Sequence, residues 1–377
     1  MMIYNVSAEE ALKIVEENFK GPLRKEVLDP LDAVGRVVLE DYLCRSDHPD
    51  RRRSTVDGYV VSSRASSYKI SGTVALGERP PERINEGEAL AVYTGSMLPE
   101  NSLYVIRKEM VGVSGDTITV KQESAFERNY VEPGEECRKG EVILRKGEIV
   151  NYRKAVFLAH VGEGPIKVGV LPRVSILPVG SELLGKNVDP SGFMIKKLAS
   201  RCSLTELRRP VPDSVEAISR EVSELSSIHD IVITIGGTGF GAKDLTAASV
   251  QAAGGRILFS GVRISPGRTS GLAEVNGRPV LNLPGNLQAA VAAFFFLFPQ
   301  LVSTLGFQAC FEKIRIRMKD RIDVEGDPKI AFIRAEDGAG EVVEVTRHSL
   351  RFLLEANSLL IACKSVESGS EQEAYLI

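Results

Sequence analysis

The sequence predicts a multidomain α/β chain. A doubly wound α/β domain is central, accompanied by a β-rich domain, a helix-containing linker domain and a small C-terminal β-barrel. Three observations predict it. The 377 residues suffice for several domains. From about Gly169, apolar strands alternate with helical runs, the signature of βαβ units. On either side, short β-branched runs are broken by Gly, Pro and Asn.

In chain order, SAEEALKIVEENF carries Ser7 and Glu10 at capping-box spacing, with Ala11, Val15 and Phe19 on one helical face. RVVLEDYLC reads as a strand, and Gly58 to Val120 as a β-rich domain. EPGEECRKGEVILRKGEIV has Gly-punctuated turns before the helical run KAVFLAHVG, a connector back toward the first helix. RVSILPV is then a strand, GFMIKKLASRCSL a helix, and DSVEAISREVSEL a helix with Asp213 as its N-cap. DIVITI, RILFSGV and RPVLNL are apolar strands of a parallel sheet, and NLQAAVAAFFFLF a buried helix of roughly a dozen residues, below the about 18 of a membrane span. KIRIRMKDRIDV, KIAFIRAE, GEVVEVTRH and SLLIACKS read as strands of a small sheet or barrel. The expected division is 1–44 with 130–168 (linker), 45–129 (β-rich), 169–306 (α/β) and 307–377 (barrel).

Composition excludes several classes of function. With 47 Lys and Arg against 50 Asp and Glu, the chain has no basic field to draw nucleic acid. The run Arg51 to Arg53 reads as a solvated face. The amino terminus lacks the apolar stretch and cleavage site of a signal peptide, which predicts a cytoplasmic protein with no membrane segment. Five scattered cysteines without a CxxC pair or a nearby Cys/His cluster predict neither a structural zinc site nor a disulfide framework, and four single histidines suggest no catalytic role.

In an open parallel sheet, ligands bind beyond the carboxyl ends of the strands. Three loops fall there. VGSELLG presents Glu182. In IGGTGFGAKD, Gly236, Gly237, Gly239 and Gly241 let the backbone turn tightly and point N–H groups at an anion such as phosphate, and the acid Asp244 follows. LPGN places Pro284, Gly285 and the helix cap Asn286. Gly237, Gly239 and Ala242 also fit a GxGxxA dinucleotide fingerprint, but RILFSGVR offers none of the acid it requires. No P-loop, HExxH or GxSxG is present.

These loops, with STVDGYV (Ser54 to Val60), TGSMLPENSL (Thr94 to Leu103), PRVSILPVGSEL, GGTGFGAKD, SPGRT and LPGNL in collinear order, make the chain resemble the molybdenum insertases of the MoeA and gephyrin E-domain family. The resemblance implies a MogA-like central domain and a molybdopterin molybdotransferase active in molybdenum cofactor biosynthesis. It further implies insertion of molybdate into adenylated molybdopterin, with Mg²⁺-dependent release of AMP. Asp57, Glu182, Asp213 and Asp244 stand as its catalytic carboxylates, Glu182 and Asp244 as metal ligands. Thr94, the Gly236 to Gly239 turn, Arg268, Pro284 to Asn286 and Ser349 stand as substrate contacts. Partners implied are a second copy of the chain, to which Asp57 is offered, and a molybdopterin adenylyltransferase. The chain departs from the family pattern at Ser265, Leu103 and Glu136. These positions motivate an alternative, a pterin-binding paralogue with weak or no turnover, and tungstate is the variant substrate.

Overall fold

A computed structural model describes residues 3–185, 189–237, 245–308, 311–344 and 350–377. Two compact units emerge: Met1–Val27 with Gly35–Leu39 and Lys167–Ile377, and Leu28–Val34 with Glu40–Ile166.

The larger unit begins with the strand Ile3–Val6 (β1), too short and too mixed in polarity for the sequence pattern to announce. Ser7 follows as N-cap, its Oγ accepting the Glu10 N–H at 3.1 Å, and the helix Ala8–Phe19 (α1) buries Ala11, Val15 and Phe19 as their spacing predicts. The sheet continues with Arg173–Pro178 (β2), Leu204–Leu207 (β3), Ile231–Ile235 (β4), Arg256–Val262 (β5), Gly271–Val275 (β6) and Arg278–Leu283 (β7). Their spatial order is β1-β5-β6-β7-β4-β2-β3. Val174 pairs with Ile231, and Val232 with Val280, in parallel register. All five residues of β4 are buried, as a parallel strand covered on both faces requires.

The sheet is mixed where strand–helix alternation predicts a parallel one, because β6 runs antiparallel to both β5 and β7. The cause is local. Asn276 and Gly277 adopt φ of 53° and 73° between the paired Val275 and Arg278, the two-residue turn that joins hairpin strands.

The helices of this layer are Pro190–Ala199 (α2), Val215–Ile228 (α3), Leu245–Ala252 (α4) and Leu287–Thr304 (α5). α2 starts and stops earlier than its apolar pattern predicts, since Asp189 caps it and Pro190 fits its first turn, while Leu204 already belongs to β3. α3 is capped by Ser214, whose Oγ accepts the Ala217 N–H at 3.3 Å, and not by Asp213. α5 continues through Pro299 to 18 residues, longer than the expected dozen. With 72% of it buried, it is a core helix. Phe294 stacks on Phe298 at 4.6 Å between ring centroids and meets Phe295 edge-on at 5.5 Å.

In the same unit, Lys313–Met318, Lys329–Glu336, Ala339–Val342, Ser358–Ala362 and Glu371–Leu376 close into a barrel. The first four answer to the predicted runs, whereas the last lies in a polar stretch without a strand pattern.

In the smaller unit, six strands form one sheet, in the order Tyr104–Arg107, Gly58–Val61, Glu88–Val92, Ser67–Val74, Thr117–Val120 and Val111–Ser114. Short ladders join Arg53–Ser54 to Tyr130–Val131 and Tyr42–Leu43 to Val142–Leu144, and Asn151 caps the helix Tyr152–His160. The strand expected over RVVLEDYLC breaks because its two ends pair differently: Val38 bridges to Val168, while Tyr42 and Leu43 pair with 142–144. Arg52, read as solvated, instead binds Glu132 at 2.8 Å and lies over the Tyr130 ring.

Candidate functional site

From β2 the chain passes through α2 outward to β3, then returns through α3 to β4 on the other side of β2. At such a switch point the connections leave in opposite directions and a crevice opens at the carboxyl ends of the strands. A cleft of about 740 Å³ lies there. Val179, Glu182 and Leu183 reach it from the end of β2, Asp213 from beyond β3, Ile235, Gly236 and Gly237 from β4, and Pro284, Gly285, Asn286 and Leu287 from β7. Asp189, Pro190, Ser191, Thr269 and Leu350 complete the wall. All three predicted loops therefore converge on one cavity.

Its backbone is held by residue type. Gly236 has φ of 97°, and a Cβ there would stand 2.3 Å from the Val179 carbonyl oxygen, so only glycine fits between the ends of β2 and β4. Two helices begin on the cleft. Asn286 accepts the Ala289 N–H at 3.1 Å at the start of α5, and Asp189 accepts those of Ser191 at 3.2 Å and Gly192 at 2.7 Å at the start of α2. Helix amino ends carry partial positive charge and suit anionic groups.

The carboxylates differ in task. Glu182 is exposed on the turn Ser181–Leu183 and takes no hydrogen bond among the described residues. Asp213 Oδ2 accepts the Ser181 N–H at 2.9 Å, and Asp213 N–H donates to Ser181 Oγ at 3.1 Å. This reciprocal pair ties the loop that carries Glu182 to the segment leading into α3, which explains why the cap of α3 falls to Ser214.

The remaining predicted residues fall elsewhere in the chain. Arg268 is exposed, its guanidinium 3.9 Å from Asp327 Oδ2, and does not line the cavity, although its neighbour Thr269 does. Asp57 and Thr94 belong to the smaller unit, where they meet each other: Asp57 Oδ1 accepts the Thr94 N–H at 2.9 Å and hydroxyl at 3.1 Å, and Lys108 Nζ stands 3.2 Å from Oδ2. The Thr94 amide first, then Lys108 and the Thr94 hydroxyl, hold the Asp57 carboxyl below its usual range. Thr238, Gly239, Asp244 and Ser349 lie outside the described residues.

Asp189, Ser191 and Thr269 are wall residues beyond those the sequence predicts. The signal for the first two was present, since Asp-Pro-Ser ahead of a helical run marks a capped amino end.

Comparison with known proteins agrees with this architecture. Residues 6–162 match the family model "MoeA N-terminal region (domain I and II)", and residues 175–303 match "Probable molybdopterin binding domain". A molybdopterin molybdenumtransferase of Staphylococcus aureus (strain COL) is 27% identical over 88% of this chain and 83% of its own length. One of Staphylococcus epidermidis is 26% identical over 82% and 78%. A solved molybdopterin biosynthesis MoeA protein of Pyrococcus horikoshii is 27% identical, with a TM-score of 0.65 over 99% of this chain and 100% of its own. Another solved molybdopterin biosynthesis MoeA protein from Pyrococcus horikosii, 24% identical, has the same fold at a TM-score of 0.70 over 99% of both chains. Matched by both models in chain order and by relatives of one kind along most of its length, the chain belongs to the MoeA family.

Proposed function

We propose that this chain is a molybdopterin molybdenumtransferase, which acts in molybdenum cofactor biosynthesis by inserting molybdate into adenylated molybdopterin with release of AMP. The observation that carries the proposal is the cleft at the switch point. It joins a glycine turn, two helix amino ends and the carboxylates of Glu182 and Asp213. A pterin joined to AMP through a pyrophosphate needs these things: amides for phosphate oxygens, and a way to neutralise charge as the link between the phosphorus atoms breaks.

The donor set fits a hard dication. Glu182 offers a carboxylate on the cleft, and Asp213 spends Oδ2 on Ser181. Glu182, with Asp244 as the resemblance implies, would hold Mg²⁺, which takes carboxylate and phosphate oxygens together and would supply charge neutralisation. In this reading Asn286 and Gly236 orient the anionic groups, and Asp213 positions Glu182 through Ser181. Asp57 keeps the catalytic role, and Thr94, Gly237, Thr238, Gly239, Arg268, Pro284, Gly285 and Ser349 the substrate contacts, that the resemblance implies. The reading includes a cytoplasmic homodimer, a molybdopterin adenylyltransferase as supplier, and a four-part division at 1–44 with 130–168, 45–129, 169–306 and 307–377.

The test is AMP release from adenylated molybdopterin, with and without Mg²⁺ and molybdate. Release that needs both, and that Glu182→Gln abolishes, supports the proposal. Tight pterin binding without AMP release would replace it with the pterin-binding paralogue that Ser265 and Leu103 motivate, and stimulation by tungstate alone would change the metal.

A further inference from the structure

We propose that Cys44, His48, Cys137 and Glu163 form a structural zinc site in the smaller unit. The cysteines are 93 positions apart in sequence, so no ligand spacing announces them, yet the backbone clamps them together. His48 N–H donates to Cys137 O at 2.8 Å, Cys137 N–H to His48 O at 3.1 Å, Cys44 N–H to Glu141 O at 2.9 Å, and Gly140 N–H to Cys44 O at 2.8 Å.

Glu163 is the centre, with a side chain only 1% exposed. Its Oε1 accepts the Arg45 N–H at 2.8 Å and lies 3.0 Å from His48 Nε2 and 3.6 Å from Cys44 Sγ, while Oε2 accepts the Tyr42 hydroxyl at 3.1 Å. The ligand atoms of Cys44, His48 and Glu163 all lie within 4.8 Å of one another. Tetrahedral zinc, with bonds of about 2.0 to 2.3 Å, needs neighbouring ligands about 3.3 to 3.8 Å apart, so side-chain adjustment alone suffices. Cys137, buried and joined to His48 by the paired backbone bonds, lies outside that group of three and would supply the fourth ligand on turning its sulfur toward it.

The chemistry of the set selects the metal. Two thiols, an imidazole and a carboxylate suit zinc, whereas magnesium and calcium take oxygen ligands alone. With Cys137 as the fourth ligand the site would be closed, as structural zinc sites are. It would cross-link segments otherwise joined by the short ladder of Tyr42–Leu43 with Val142–Leu144.

The experiment uses the tag-free full-length protein under reducing conditions. Elemental analysis after dialysis should find about one zinc per chain. Replacement by cobalt should give tetrahedral d–d bands and a thiolate-to-cobalt charge-transfer band in the near ultraviolet. His48→Asn and Cys137→Ser should weaken zinc binding at least about tenfold, while Cys363→Ser, at an exposed cysteine, leaves it unchanged. Should either variant fail to fold, the cobalt spectrum of the unaltered protein decides. No stoichiometric metal, a cobalt spectrum without thiolate bands, or a Cys44–Cys137 disulfide in protein that takes up no zinc would overturn the proposal.

Discussion

Asp213 and Glu182 are adjacent in the cleft but different in kind, and substitution separates them. Asp213 works through Ser181, so Asp213→Asn, which keeps an acceptor oxygen, should retain much of the AMP release. Asp213→Ala should lose at least about tenfold, as removal of a supporting partner does. Equal losses in steady-state assays would show that the charge itself matters. Glu182 is exposed, so Glu182→Gln should abolish AMP release while thermal denaturation shifts stability by less than about 0.5 kcal/mol. A titration belongs at this scale too. Burial first, then the hydrogen bond to Glu163, raises the Tyr42 hydroxyl to about 12. The folded state thus holds its proton more tightly than the unfolded one, so the stability it contributes is present below about pH 10 and lost as pH rises toward 12. Tyrosinate absorbance should show one residue ionising near pH 12 in native protein, and Tyr42→Phe should remove it. Ionisation of every tyrosine near pH 10 would contradict the burial of this one.

Elements carry the precision of the site. At Gly236, alanine would place a methyl group against the Val179 carbonyl oxygen at a φ that side chains avoid, and should destabilise the fold by roughly 2 to 4 kcal/mol in denaturant unfolding. In α5, Phe294→Ala should cost about 3 to 5 kcal/mol, because its ring is fully buried among Phe295, Phe298 and Phe311. Neutral behaviour of either variant would contradict the packing described. These elements were also the legible ones. RVSILPV, DIVITI and RPVLNL are buried strands whose apolar runs admit little else, and Asn286 caps α5 as its residue type foretells. β6 escaped because the expectation of alternating strands and helices overrode the Asn276-Gly277 turn that announces it. Asp213 and Ser214 are both good caps, and a tertiary bond to Ser181 decides between them, which no local pattern records. The Cys44, His48, Cys137 and Glu163 cluster escaped for the same reason on a larger scale, since distant backbone pairing assembles it.

For the whole molecule, the order of parts determines what the cleft can do. The topology places β2 and β4 side by side with their connections diverging, and three of the motifs, VGSEL, the opening of GGTGFGAKD and LPGN, fall on the loops that this arrangement brings together. Motifs shared with MoeA proteins thus coincide with a physical reason for anion binding, which neither composition nor fold class supplies alone. The central claim is insertion, of which AMP release is one half. The direct measurement is therefore the ratio of molybdenum bound in the pterin product to AMP released, in one reaction of the purified chain with adenylated molybdopterin, Mg²⁺ and molybdate. The account predicts equal amounts of the two, with both lost in Glu182→Gln. AMP released without molybdenum in the product, or a Glu182→Gln variant as active as the unaltered chain, would contradict it.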